Sequence, residues 1–426
     1  MLPTEPKTLP VFTVVLLSSL YFSQGLPSGF LAHALPALLR EYGVAVEYIG
    51  LLKLLALPWF LKFLWAPFVD RTEVARLGDQ RGWILTMQSA LALLILILSF
   101  FTPDTLFGSF IILFFLLVLM INTTAATQDI ATDGLAVKLL PEKWRGLGNS
   151  IQVSGFKAGM ILSGSLLLLS VDKLGWSLSF QFLSLCLFVL LVPSYLFKEP
   201  SENTQPKRLK DEHCSHYTSN KSSWFDAYRG FFSQRGIRYW LVVLFTYKVA
   251  DALGSGMIKP LLVDLEFSLT AIAEITFWAS ICGLIAAVLA GFIYYRLGAK
   301  GSLLLFGLLQ ALGIAAYGVL AKGDLSVDVV IAVALFEQAA DGMSTVALFA
   351  LMMGQCRKDH EGSDFTVQAC IQVVMSGLVG ALSGFVAKFA GYTTLYMVAG
   401  LLGLLALIPV YLYFSNLAQR ANANDQ

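Results

Sequence analysis

The chain has 426 residues, of which 57% are hydrophobic and 13% charged, and its mean hydropathy is +0.72. That balance excludes a soluble globular domain; apolar runs of about 20 residues recurring along a chain mark a polytopic helical membrane protein. A formal net charge of +1 gives no ground for nucleic-acid binding. The five cysteines, Cys186, Cys214, Cys282, Cys356 and Cys370, are scattered without C-x-x-C spacing. Neither a disulfide framework nor a zinc site is legible, and no metal or cofactor is expected.

Hydropathy reads as twelve spans. The first six fall at residues 11–38, 48–69, 82–101, 107–137, 147–170 and 177–197. The second six fall at residues 239–263, 269–296, 302–321, 327–355, 365–390 and 393–414. No cleavage pattern precedes the first, so it is expected to remain a helix. Residues 198–238, rich in Lys, Arg, Asp, Glu and Ser, read as a linker with an amphipathic piece at Trp224–Phe232. The expected fold is all-α: an N-terminal six-helix bundle (1–197), a cytoplasmic linker (198–238) and a C-terminal six-helix bundle (239–426). Alternate loops carry Arg71, Arg76 and Arg81; Lys138, Lys143 and Arg145; eight basic residues in the linker; Arg296 and Lys300; and Arg357 and Lys358. The opposite loops have Arg40, Lys173, Lys322 and Lys388. The positive-inside rule puts both termini and the linker in the cytoplasm.

The stretch A-A-T-Q-D-I-A-T-D-G at residues 125–134 dominates the fourth span. Its Asp129 and Asp133 lie one turn apart on one helix face. Such acids cost roughly 2.5–3.5 kcal/mol each at membrane depth on insertion scales, so they must face a partner or a wet cavity. Span ten repeats the pattern as E-Q-A-A-D-G at Glu337–Gly342, with I-Q-V at 151–153 and 371–373 and L-S-G at 162–164 and 382–384 following in both halves. Parallel repeats of this kind describe the halves of a major facilitator transporter, whose solute site lies between them near the midplane. The loops containing A-P-F-V-D-R (66–71) and G-F-I-Y-Y-R-L-G-A-K (291–300) are similar to the facilitator loop signature G-x-x-x-D-R-x-G-R-K, in degraded form. They nominate Asp70, Arg71 and Arg296, with Lys62 nearby, as gating residues.

Further charges lie within spans: Lys53 and Lys62 in span two, Lys157 in five, and Lys248 and Asp251 in seven. Counted inward at 1.5 Å per residue, Lys157 and Asp129 both sit about 15 Å from the cytoplasmic end, and Lys248, Asp251 and Asp341 reach a similar depth. Charges gathered on one level line a cavity, since lipid would expel them. Structural readings stand beside the functional ones. Lys53 can snorkel to the outer face, Lys62 can brace a gate, and Lys248 and Asp251 can neutralise each other. His33 fits a core position. Gln24, Gln128, Gln152, Gln338 and Gln372 can bond across helices or to a ligand, and Tyr21 and Tyr247 can pack or line a pocket. One of Asp129, Asp133, Glu337 or Asp341 is expected to couple proton entry to solute entry, while the lysines attract anionic groups of the solute. The glycines of spans five and eleven are expected to let the halves slide.

The runs S-Q-G-L-P-S-G-F (23–30), L-P-W-F-L-K-F-L-W-A-P-F-V-D-R (57–71), A-T-Q-D-I-A-T-D-G-L-A-V (126–137) and R-G-L-G-N-S-I-Q-V (145–153) resemble the peptide/acetyl-coenzyme A/drug transporter branch of the major facilitators. That branch contains muropeptide permeases and acetyl-coenzyme A transporters. The A-T-D-G-L-A-V and R-G-L-G-N segments are closest to its bacterial rhizobactin and pyochelin siderophore permeases. Muropeptide permeases typically carry two further spans, so a twelve-span chain resembles the siderophore group more. The resemblance implies a monomeric secondary transporter of the inner membrane, importing a ferric or desferri siderophore with protons. Its alternative is a permease for a muropeptide or an acyl-CoA-like solute. An intramembrane enzyme would need a nucleophile or metal cluster beside the paired acids, and none is legible. A sensor would need a soluble domain larger than the linker.

Overall fold

The computed structural model describes residues 9–41, 55–72, 74, 78–199, 224–323 and 326–424. Lys53, Arg76, Cys214, most of the expected linker and the side chain of His33 lie outside the described residues. In chain order the α-helices of the first half are α1 (Val11–Gly29), α2 (Leu35–Glu41), α3 (Leu57–Leu61), α4 (Ala66–Arg71), α5 (Asp79–Ser99), α6 (Pro103–Phe107), α7 (Ile111–Leu139), α8 (Arg145–Ile161) and α9 (Leu167–Leu196). They are followed by α10 (Trp224–Phe232), α11 (Ile237–Thr246), α12 (Val249–Gly254), α13 (Ile258–Asp264), α14 (Leu269–Leu320), α15 (Val327–Gly354), α16 (Glu361–Leu405) and α17 (Leu407–Asn424).

Local chemistry explains where the spans break. Pro58 and Pro67 sit in the first turns of α3 and α4, where a missing N–H leaves no intrahelical bond unmade. Three nominally continuous helices contain one non-helical glycine each: Gly175 in α9 (φ 79°, ψ 171°), Gly298 in α14 (φ 70°, ψ 178°) and Gly391 in α16 (φ 80°, ψ 162°). Such dihedrals are open almost only to glycine. Each residue divides its helix into two spans, at the places where hydropathy separates spans five and six, eight and nine, and eleven and twelve.

Large apolar side chains cover the outside, with Phe182, Phe292 and Phe385 all more than half exposed, as a lipid-facing surface requires. Inside, α1 meets α8 at close range. A Cβ on Gly25 would collide with the Phe156 carbonyl oxygen, and one on Gly159 would collide with that of Phe22. Gly159 therefore closes a helix pair within the first half, while a Cβ on Gly377 or Gly384 would meet nothing within 4 Å. These glycines do not form the sliding seam between halves that their spacing suggested.

The cores give the molecule its polarity. One apolar cluster joins both halves, with Trp144 and Val153 of the first against Trp240, Tyr294, Met353 and Phe365 of the second. Toward the other end the clusters are separate. One contains Phe30, Phe114 and Phe180 of the first half, the other Ile275, Tyr317 and Tyr396 of the second. The halves are fused at the end bearing Asp70, Arg145 and Arg357 and parted at the other.

Candidate functional site

The fused end is held by polar contacts as well as packing. The Asp70 carboxylate accepts hydrogen bonds from the Ser363 backbone N–H (2.6 Å), the Ser363 hydroxyl (2.5 Å) and the Gln80 amide (3.2 Å). It thereby caps the first turn of α16, where free N–H groups and the helix dipole favour an anion. Asp70 ends the loop side of span two, and burial outweighs these hydrogen bonds to push its carboxyl above its usual range. Trp144 stacks on Tyr295 at 5.3 Å, Lys143 lies 5.2 Å from the Tyr295 ring, and Asn149 donates to the Met353 sulfur at 3.2 Å. Gly146 passes so close to Tyr294 that a Cβ would collide with its ring. Arg71 and Arg296 are exposed at this end and lie outside the Asp70–Ser363 latch. Lys62, grouped with them by sequence, lies inside the first half.

Within the first half, Lys62 and Asp129 form a buried ion pair, with Lys62 5.6 Å from the Trp59 ring. Asp133, also buried, accepts from the Tyr21 hydroxyl (3.1 Å) and the Gln152 amide (3.2 Å). Gln128 faces away from this cluster, its amide donating to Ser23 (3.2 Å) and Gln88 (3.1 Å) and stitching α1, α5 and α7 together. Gln24 is buried with its amide nitrogen unpartnered.

The second half arranges its charges around a break in span seven. Between α11 and α12 the chain leaves helical geometry at Lys248 (φ −101°, ψ 10°), and such discontinuities near the midplane place polar backbone beside a solute path. The Lys248 ammonium donates to the Asp341 carboxylate (2.7 Å) and the Ser344 hydroxyl (2.8 Å). Lys157 reaches across from α8 to the same Asp341 at 3.4 Å, which makes it an ionic bridge between halves. Asp251 sits half-buried in the first turn of α12. Glu337 is buried, receives the Gln338 amide at 3.1 Å, and has its other oxygen unpartnered. Two residues nominated as ligand-binding are committed to backbone instead. Gln372 donates to the Leu244 carbonyl beside the break, and Tyr247 donates to the Leu303 carbonyl at 2.9 Å.

The two acid motifs are therefore used asymmetrically. Asp129, first acid of its pair, has a lysine, while in the other half the second acid, Asp341, has two. Among the described residues no cation lies within ion-pair distance of Asp133 or Glu337.

Beyond Lys157, toward the parted end, a cavity of about 460 Å³ opens between α8 and the start of α14. Its wall includes Lys157, Lys259, Thr276, Phe277, Ser280 and Gln338 and, among the described residues, contains no carboxylate. The sequence reading passed over Lys259, which lies near the end of span seven, and over Thr276 and Ser280, which carry no charge.

The profile of the Major Facilitator Superfamily matches residues 17–380. The chain belongs to that superfamily. Facilitators of known structure share its fold: the fucose:proton symporter FucP of E. coli (TM-score 0.71, 16% identity, covering 95% of this chain and 99% of that one), and a bacterial homologue of the iron transporter ferroportin in an outward-facing state (TM-score 0.70, 17% identity, covering 96% and 100%). Among facilitators compared by sequence, it is 28% identical to the anhydromuropeptide permease of Escherichia coli K12 over 380 residues, 88% of this chain and 74% of that one. It is 30% identical to an uncharacterized protein of Haemophilus influenzae over 389 residues, 87% of each. The chain is a multi-pass facilitator, a transporter and not an enzyme.

Proposed function

We propose that the protein imports a muropeptide-class solute with protons across the inner membrane by alternating access, as a monomer of two bundles (1–197 and 239–426) whose termini and linker are cytoplasmic. The observation that carries the solute class is the 28% identity to an anhydromuropeptide permease across 88% of this chain. These relatives favour the muropeptide alternative over the siderophore reading drawn from the short motifs. A muropeptide joins an amino sugar to a peptide with free carboxylates, which suits a cavity whose described lining bears two lysines and no carboxylate.

In this mechanism solute enters from the parted end while the Asp70 latch keeps the other end shut. A solute carboxylate competes with Asp341 for Lys157 and so loosens the ionic bridge between halves. Asp133 and Glu337 serve as proton carriers. Both are held by neutral donors, so protonating either strands no buried lysine, whereas protonating Asp129 or Asp341 would.

Purified protein in proteoliposomes should accumulate labelled anhydromuropeptide under an inward proton gradient and lose that accumulation with a protonophore. Accumulation that ignores the gradient would refute symport. Uptake of a labelled siderophore unaffected by excess muropeptide would refute the solute class.

A further inference from the structure

Lys259 lies near the end of span seven, in the first turn of α13 (I-K-P-L-L-V-D), five residues before Asp264. It is exposed to the inter-half cavity, and among the described residues no carboxylate lies within ion-pair distance of it. Among the described residues, the lysines placed deep in the bundle have an acid: Lys62 has Asp129, and Lys248 and Lys157 share Asp341. A lysine whose only purpose was to reach the outer surface would not need to line a chamber shared with Lys157 of the first half.

The rest of the lining narrows what could neutralise it. The Thr276 and Ser280 hydroxyls donate to carbonyls of their own helix, Ile272 (2.7 Å) and Thr276 (2.8 Å), so they offer lone pairs to a solute N–H or O–H. Gln338 donates its amide to Glu337 and leaves its carbonyl oxygen as an acceptor. The ammonium groups of Lys157 and Lys259 are thus the charged donors that the described wall holds for an anion. Phe277 supplies an apolar face for a ring or side-chain stem.

We propose that Lys259 is a specificity-determining residue that binds a carboxylate of the incoming solute, in the chamber it shares with Lys157. This rests on the muropeptide-class reading and adds to it a requirement for a free carboxylate, together with the residue that enforces it.

The test uses two labelled solutes in proteoliposomes, an anhydromuropeptide with free peptide carboxyls and the same molecule with those carboxyls amidated. Wild-type protein should prefer the acid. K259Q should raise KM for the acid about tenfold or more, the scale of one charge-assisted hydrogen bond, with little change in kcat, and should erase the preference for acid over amide. K259R should restore it. Equal discrimination by wild type and K259Q overturns the proposal.

Transport of neither solute by the wild type would sink the muropeptide reading and leave the anion site to be judged by itself. K259C would then be treated with an anionic and a cationic thiol reagent of equal size. Faster reaction with the anionic one, slowed by adding K157Q, supports an anion site. No preference overturns it.

Discussion

At the scale of single residues, the pair Lys62–Asp129 corrects an intuition that the sequence encourages. Asp129 alone looks like a carboxylate that could become an amide with loss of transport and nothing else. Both partners are in fact buried, so D129N strands an ammonium group in the bundle interior. Breaking a buried pair by removing one partner typically costs about 3–5 kcal/mol. We expect D129N to lower the midpoint of thermal unfolding in detergent sharply, K62Q to do the same, and K62Q/D129N to recover most of the loss while leaving uptake defective. Recovery of uptake in the double variant would make the pair purely structural. Asp133 is the contrasting case: D133N exchanges one set of neutral hydrogen bonds with Tyr21 and Gln152 for another, so it should change stability little and act on proton-driven accumulation.

At the scale of helices, the boundaries were largely legible and the contacts were not. Twelve apolar stretches separated by short polar ones give the spans directly, and Gly175, Gly298 and Gly391 all stand within three residues of a basic residue where apolar runs meet. A methyl group added at any of these three glycines would have nothing within 4 Å, so alanine there would test backbone strain without a clash. G175A, G298A and G391A should each lower stability by about 1–3 kcal/mol in denaturant unfolding. G146A should instead act through its collision with Tyr294 and weaken the fused end. The break at Lys248 had no such signal, because neither glycine nor proline marks it. Its stabilising partner Gln372 is 128 residues from Leu244. Helical periodicity assigns a side chain to a face and says nothing about which helix that face meets. For that reason the repeated acid motif suggested equal roles in both halves, while the lysines chose the first acid in one half and the second in the other.

At the scale of the whole molecule, the Asp70 latch couples the two halves to pH. Its buried carboxyl titrates above its ordinary 3.8, and opening this end would return it to water and to that lower value. The fused state therefore binds the proton more tightly than the open one, so closure is favoured as pH falls through the raised value and weakened as pH rises above it. Gln80 is suited to both protonation states. Its amide donates to the carboxylate, and its own carbonyl oxygen is buried without a partner, so a rotated amide could accept from the protonated acid. D70N mimics that acid, since its oxygen accepts from Ser363 and its nitrogen can donate to Gln80. Spin labels on the loops carrying Arg71 and Arg296 should report a short distance in the wild type that lengthens as pH rises. They should stay short at every pH in D70N and lengthen throughout in D70A, where Ser363 and Gln80 lose their hydrogen-bond partner. A wild-type distance that lengthens on acidification would reverse the sign of this linkage and remove Asp70 from the proton cycle.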